Sequence, residues 1–326
     1  MSDVTTANSK QPKQPIFSPR RLAHANLYVS DYERAAEFYR SVVGFNEAYR
    51  QPDNLASFVS NGNTYHDFGL TNVNSKYAKP GQRPGLFHIA LELETEAELV
   101  SSYNRAVAAG LNFRSTVDHD VAHSIYLYDP DGNILEIYSD VVEDWQILRT
   151  GIVTKAKPKW VPGVTTVPIN KALYPRDPNL KRIDDAVFHG KRVTHVALVT
   201  AKYEELFRYY SGPIGLVPLV GGEREDFAVL KGHASNGDLT LFRHRPGLEL
   251  GLHHTGVEVW SESDLKDSLA KAKARDLDIE SVHDHPARMS VTIKDPDGLR
   301  LQFYVNRDWR PEVIGTVSAE ESLCLV

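Results

Sequence analysis

Three residues in this 326-residue chain have types and surroundings suited to chemistry: His24, His88 and Glu136. Each lies in a short apolar run that reads as a strand, Glu136 within Ile134-Leu135-Glu136-Ile137-Tyr138. Strand neighbours point to opposite faces, so Glu136 faces away from Leu135 and Ile137. Two imidazoles and one carboxylate on strands are the donors of a facial two-His-one-carboxylate metal site, which leaves positions open for a substrate and for dioxygen. That donor set suits Fe(II), with Mn(II) next, whereas zinc more often takes a tetrahedral arrangement. A single strand histidine is more often a hydrogen-bonded structural residue, and the matching positions His195 and His254 keep a repeated structural role open.

The elements that would position these residues occur twice. Arg21-Leu22-Ala23-His24 and the helical positions Tyr32, Phe38, Tyr39 and Gly44 recur 171 residues later as Arg192-Val193-Thr194-His195 and Tyr203, Tyr209, Tyr210 and Gly215. Gly85-Leu86-Phe87-His88 and Asp129-Pro130-Asp131-Gly132 recur 166 residues later as Gly251-Leu252-His253-His254 and Asp295-Pro296-Asp297-Gly298. A fixed period of this kind marks a duplicated architecture. Each half divides again. A strand over 24–29 leads to Asp31, a helix cap, and to a helix over 32–43 with Ala35, Phe38, Tyr39 and Val42 on one face. Strands are expected around 46–51, 54–60 and 65–71. The next unit repeats the order: a strand at 86–94, a helix at 95–109 and strands near 112–117, 123–128 and 133–139. Asp129-Pro130-Asp131-Gly132 is a hairpin turn between the last two. The fold class is therefore α+β, four βαβββ modules paired into two domains.

The expected division is a flexible N-terminal tail at 1–19, a catalytic metal-binding domain at 20–145, a connector at 146–190, a degenerate second domain at 191–310 and a C-terminal tail at 311–326. The connector carries Pro158, Pro162, Pro168, Pro175 and Pro178, a poor composition for a helix or central strand. It is expected to wrap one domain or bridge both, with Trp160 and Tyr174 packed somewhere. Thirty-seven Lys and Arg against 43 Asp and Glu give a net charge of −6, which is no footprint for nucleic acid or an anionic membrane. No apolar run approaches the roughly 20 residues of a membrane helix. Residues 1–19 lack the apolar core of a signal peptide, and the single cysteine, Cys324, excludes a disulfide framework. A cytoplasmic protein is expected.

The repeated modules, the turn Asp129-Pro130-Asp131-Gly132-Asn133 and the His24, His88, Glu136 set resemble the vicinal oxygen chelate superfamily. That resemblance implies a glyoxalase-like fold in which each domain is a curved mixed-sheet cup. Within it, residues 20–145, and more weakly 191–309, look most like type I extradiol ring-cleaving dioxygenases of the catechol 2,3-dioxygenase kind. By that likeness His24, His88 and Glu136 bind the iron. Asn26 matches a pocket asparagine, and Tyr65-His66-Asp67-Phe68 resembles the segment of the catalytic histidine. Tyr126, ten residues before Glu136, matches the active-site tyrosine, and Asp118-His119 resembles the third pocket histidine. His119 stands slightly closer to Tyr126 than is usual there, which leaves His123 as a rival.

The resemblance implies Fe(II)-dependent cleavage of a catecholic ring beside its two hydroxyls, with both atoms of dioxygen incorporated, in aromatic compound catabolism. His66, an imidazole near the right pKa range, would move protons, while Asn26, His119 and Tyr126 would meet the substrate. A homo-oligomer is implied, and neither a nucleic acid nor a membrane partner. Arg114 and Arg83 are candidates for meeting an anionic substituent, or are solvated. The second half replaces Glu136 by Gln302, Tyr126 by Thr292 and Asn26 by Ala197, so it is expected to complete the fold rather than bind metal. In the family the second domain generally carries the iron; here the order is reversed. The alternatives are a glyoxalase-like isomerase, another metal-dependent oxygenase, or a metal-free small-molecule binding or resistance protein.

Overall fold

A computed structural model of the chain describes residues 15–154 and 157–326. The first module runs β1 (Arg21–Val29), α1 (Tyr32–Phe38), β2 (Asn46–Gln51), β3 (Ala56–Ser60) and β4 (Phe68–Asn72). The second runs β5 (Gly85–Glu92), α2 (Glu96–Ala108), β6 (Phe113–Asp118), β7 (Ala122–Tyr128) and β8 (Ile134–Asp140). A two-residue strand, β9 (Gly151–Ile152), follows. All nine form one sheet in the order β6-β7-β8-β5-β1-β4-β3-β2-β9. The modules meet at β1 and β5, which run antiparallel, while β1–β4 and β5–β8 are parallel pairs.

The second half repeats this plan. It comprises β10 (Gly190–Thr200), α3 (Tyr203–Ser211), β11 (Val217–Gly221), β12 (Phe227–Lys231) and β13 (Leu239–Arg243). Then come β14 (Gly251–Val259), α4 (Glu262–Ala274), β15 (Ile279–Asp284), β16 (Arg288–Lys294) and β17 (Arg300–Asn306). Its sheet has the order β11-β12-β13-β10-β14-β17-β16-β15. Both are mixed sheets of parallel and antiparallel pairs, as the resemblance implied. Ala25, Leu27 and Val29 of β1, Val196 and Leu198 of β10, and apolar residues of α1 to α4 merge into one core that runs through both halves. No helix of the described residues is long and apolar enough to cross a membrane.

Four expectations are corrected. The helix expected over 32–43 is α-helical only to Phe38 and then widens into a π turn, Tyr39–Val43. Gly44 closes it at φ 88°, its N–H reaching back five residues to the Tyr39 carbonyl (2.9 Å). A side chain at Gly44 would collide with the Phe188 carbonyl, because the connector bonds there, Phe188 N–H to Val42 O at 2.8 Å. The strand expected from 65 begins at Phe68, leaving His66 on an irregular loop. Residues 1–14 of the expected N-terminal tail lie outside the described residues, but Ile16 and Phe17 are buried, with their N–H groups on the Pro213 carbonyl at 3.0 and 3.2 Å. The expected C-terminal tail forms α5 (Pro311–Ile314) and α6 (Ala319–Leu325), and Leu325 and Val326 are buried among apolar residues of the second sheet.

The connector is ordered over its described length. Trp160 is buried and stacked on His123 (centroids 4.6 Å apart), and Tyr174 donates to Glu94 (2.6 Å) beneath the Arg20 guanidinium. The halves are also tied by exchanged carboxylates. Asp67 accepts from the Val193 N–H of β10 (3.3 Å), and Asp238 accepts from the Leu22 N–H of β1 (2.6 Å). Asp67 and Asp238 are 171 positions apart, as are Leu22 and Val193, so the tether is reciprocal. Asp67 also holds its own loop, accepting from Ser60 Oγ (2.9 Å), Asn63 Nδ2 (3.2 Å) and the Asn61 N–H (3.3 Å). Asp67→Ala strands these buried donors and should lower stability by about 2–4 kcal/mol. Urea unfolding checks this; an unchanged midpoint would mean that the tether contributes nothing.

Candidate metal centre and cavity

Strand register assembles the site. His24 on β1 pairs across with Ala90 on β5, and Ala90 pairs with Glu136 on β8. Cross-strand partners share a face, so His24 and Glu136 rise on either side of the smallest side chain in the row. Asn26 lies opposite His88, and Tyr126 on β7 lies opposite Glu136, so all of these share that face. Gly69 on β4 makes room for Asn26, since a Cβ there would collide with the amide.

The two imidazoles converge on one oxygen. Glu136 Oε2 lies 3.2 Å from His24 Nε2 and 2.9 Å from His88 Nε2, and all three residues are buried. Their donor atoms lie within 4.8 Å of one another, a set able to hold one ion. Ser124 Oγ donates to the other oxygen, Oε1, at 2.5 Å, which orients the carboxylate. His88 Nε2 faces Oε2 at 2.9 Å without good hydrogen-bond geometry, an approach that a cation held between the two would suit. Burial by itself would raise the Glu136 pKa, but the His24 and His88 imidazoles outweigh it and hold the carboxyl well below its usual range. Burial lowers the His88 pKa. The result is an ionised carboxylate beside a neutral imidazole, the protonation states that bind metal.

His88 and Glu136 form part of the wall of a cavity of about 350 Å³, which Asn26, His66, His119 and Tyr126 also line, and His24 sits beside that wall against Glu136 and His66. His66 stacks on the His24 ring (centroids 3.9 Å apart), with Nε2 3.1 Å from Asn26 Oδ1 and Nδ1 3.2 Å from Tyr49 Oη. Burial, reinforced by His24, pushes its pKa well below 6.5, so the ring is neutral. His119 Nε2 lies 3.0 Å from Tyr126 Oη and 3.8 Å from Glu136 Oε1. Burial, with Glu136 close by, raises the Tyr126 pKa and keeps the phenol protonated. The structure thus brings Asn26, His66, His88, His119, Tyr126 and Glu136 to one cavity, with His24 packed against Glu136 and His66 at its wall. His123 is elsewhere, its Nδ1 2.7 Å from Glu96 Oε1 behind the sheet wall, under Trp160. Arg114 lines the cavity; Arg83 does not.

Sequence reasoning missed three cavity or support residues. Ser124, two positions before Tyr126, was open to the alternation argument. Tyr49, stacked on Phe58 across β2 and β3 (4.4 Å), carried only the weaker signal of an aromatic in a half-buried strand. Lys157 lies in the connector, where no periodicity points inward.

The second sheet places its counterparts differently. His254 Nε2 lies 2.9 Å from the Val326 carbonyl, and Gln302 Nε2 donates to the Leu323 carbonyl (3.0 Å). Ser290 Oγ donates to the Cys324 carbonyl (2.8 Å) and Trp309 Nε1 to that of Leu325 (2.7 Å). The backbone of 323–326 therefore takes up His254, Gln302 and Ser290, the counterparts of His88, Glu136 and Ser124 in the first half. His195 packs against Gly256, the counterpart of Ala90, and burial lowers its pKa to about 3.

The chain matches the Glyoxalase/Bleomycin resistance protein/Dioxygenase superfamily over residues 21–137 and 192–303. It is 25% identical over 247 residues to the catechol-2,3-dioxygenase of Bacillus subtilis (strain 168), covering 76% of this chain and 77% of that one. The fold is that of the 2,3-dioxygenase LapB from Pseudomonas sp. KL28, with TM-score 0.64, 14% identity and coverage of 89% of this chain and 93% of that one. It is equally that of the Mn(II)-bound glyoxalase from Novosphingobium aromaticivorans, with TM-score 0.64, 15% identity and coverage of 90% and 85%.

A pH dependence follows from the second sheet. His195 is neutral when folded and takes a proton readily once unfolded, so its contribution is present above pH 6.5 and is lost as pH falls towards 3. His195→Gln removes that loss. Relative to wild type, the variant should gain roughly 1.4 kcal/mol per pH unit below about pH 6 in denaturant titrations. Parallel pH profiles would show that the ring is charged in the folded state.

Proposed function

The chain belongs to the Glyoxalase/Bleomycin resistance protein/Dioxygenase superfamily, and from that premise we propose that it is an extradiol dioxygenase that opens a catecholic ring beside its two hydroxyls. The observation that carries this reading is the convergence of His24 Nε2 and His88 Nε2 on Glu136 Oε2, in the wall of a cavity lined by His66, His119 and Tyr126. The likeness to a catechol-2,3-dioxygenase over 247 residues, 76% of this chain, supports the same reaction class. His24, His88 and Glu136 would hold the metal, Fe(II) first and Mn(II) second by donor type. When bound, the metal supplies a positive centre that gathers both catechol oxygens and dioxygen and lowers the barrier to losing catechol protons.

The remaining roles belong to side chains. Neutral His66, held by Asn26 on one nitrogen and Tyr49 on the other, takes up a substrate proton and later returns it. Its contact with His24 keeps that transfer next to the metal position. The Tyr126 phenol and His119 form a hydrogen-bonded pair that meets the substrate oxygens, and Asn26 fills the space beside them. The buried setting excludes water from the reacting groups and strengthens each of these contacts. An isomerase of the glyoxalase type normally needs a fourth protein ligand, and the described residues offer a group of three. A metal-free sequestering protein has no use for three converging donors.

Anaerobic loading with Fe(II) or Mn(II), then dioxygen and a panel of catechols, tests the reading. Metal-dependent oxygen uptake with a yellow ring-opened product is expected; bound metal without uptake on any catechol would overturn it. His24→Ala and Glu136→Ala should abolish metal content and turnover together, whereas His195→Ala should retain both. His66→Phe should keep the metal and slow turnover roughly a hundredfold or more. Undiminished turnover in that variant would remove the proton-transfer role.

A further inference from the structure

The connector contributes a positive charge to the cavity that the roles above leave unused. Lys157 lines the same space as His66, His119, Tyr126 and Glu136, although it comes from neither sheet. The residue is partly exposed, and burial together with Arg149 lowers its pKa to about 8. It is thus mostly charged at neutral pH. Its surroundings do not balance that charge. Tyr77 presents its ring 6.0 Å away, a weak cation–π distance. Glu136 and Asp53 attract it only at a distance, Glu136 being committed to the histidines and Asp53 lying 3.8 Å from Lys76. The nearby Arg149 is itself occupied, donating to the His119 carbonyl and lying 3.6 Å from Asp120.

The rest of the wall has the same sign. Arg114 and Lys159 also line the cavity, and Glu136 is the only carboxylate among its described lining residues. A cation that lines a cavity without an ion-pair partner among the described residues is free to pair with an anionic group seated there. Aromatic rings lie between His88 and Lys157: Phe87 packs edge-on against His88, Tyr77 stacks with Phe87 (centroids 6.4 Å apart), and Lys157 Nζ lies 6.0 Å from the Tyr77 ring.

We infer that Lys157 is a specificity-determining residue that pairs with an anionic substituent of the catechol, so that the preferred substrates are dihydroxyphenyl carboxylates. This rests on the extradiol reading above and adds the substrate class to it. Arg114, at the exposed rim, would draw the anion in, and Lys157 would pair with it inside.

The test compares 2,3- and 3,4-dihydroxyphenylacetate with their uncharged methyl esters. Binding to the metal-loaded protein is measured anaerobically by calorimetry, and turnover is measured under dioxygen. Wild type should favour one acid over its ester by roughly tenfold to a hundredfold. Lys157→Met should bring that ratio close to one, and Lys157→Arg should keep part of it. No acid preference in wild type, or an undiminished one in Lys157→Met, overturns the inference. If Lys157→Met does not fold, wild type and Lys157→Arg still decide, because both the preference and its dependence on side-chain geometry are read there. Esters cleaved as well as acids would sink this inference alone. Acids bound preferentially but never cleaved would leave the anion site standing and sink the extradiol reading, and no binding of any catechol would sink both.

Discussion

The site depends on a row of three residues across three strands. Because β1 runs against β5 and β5 runs with β8, His24, Ala90 and Glu136 fall side by side on one face. Only a small residue between them lets an imidazole and a carboxylate lean together over it. His88, two residues back along β5, completes the convergence on Glu136 Oε2. A slip of one residue in any of these pairings would turn the donors into the apolar core and the core residues into the cavity. The buried faces of the same strands, with Leu27, Ile89 and Ile137 in the core, hold that register in place.

Duplication explains both the stability of this arrangement and its one-sidedness. Asp67 and Asp238 reach across the boundary to the backbone N–H groups of equivalent residues, Val193 and Leu22. In the first half the same aspartate restrains the loop that carries His66. The tether to the neighbouring half therefore also positions a site residue. The second half retains two histidines, but its carboxylate has become Gln302 and the segment 323–326 satisfies the polar groups. Backbone carbonyls thus occupy the place beside His254 and Gln302 that the cavity holds beside His88 and Glu136.

The connector supplies what two sheets alone do not. It packs Trp160 into the core, hydrogen-bonds to the π turn at Ser41 and Val42, and lends Lys157 and Pro158 to the cavity wall. Loops bear binding residues more freely than strands, because their side chains are not bound to an inward–outward alternation. The cavity wall thus combines strand residues, the loop residue His66 and residues of the connector.

The repeat of 171 and 166 residues, the four βαβββ modules and the strand positions of His24, His88 and Glu136 were all legible in the sequence. Alternation and turn residues are local, and duplication makes each signal appear twice. His66, Tyr126, Asn26 and His119 were legible only through resemblance to a known family, since nothing local marks a loop histidine as inward. Distance across the sheet decided the rest. His119 rather than His123 reaches the cavity because β6 ends just before it at Asp118, while His123 turns under Trp160 to Glu96. Ser124, Tyr49 and Lys157 gained their roles from neighbours 12, 17 and, across the cavity, 21 residues away in Glu136, His66 and Glu136 respectively. The sequence by itself determined which side chains share a face, because that follows from the two-residue period of each strand. Only the tertiary structure decided which of them meet, because meeting depends on the order of strands in the sheet and on the path of a connector that has no period of its own.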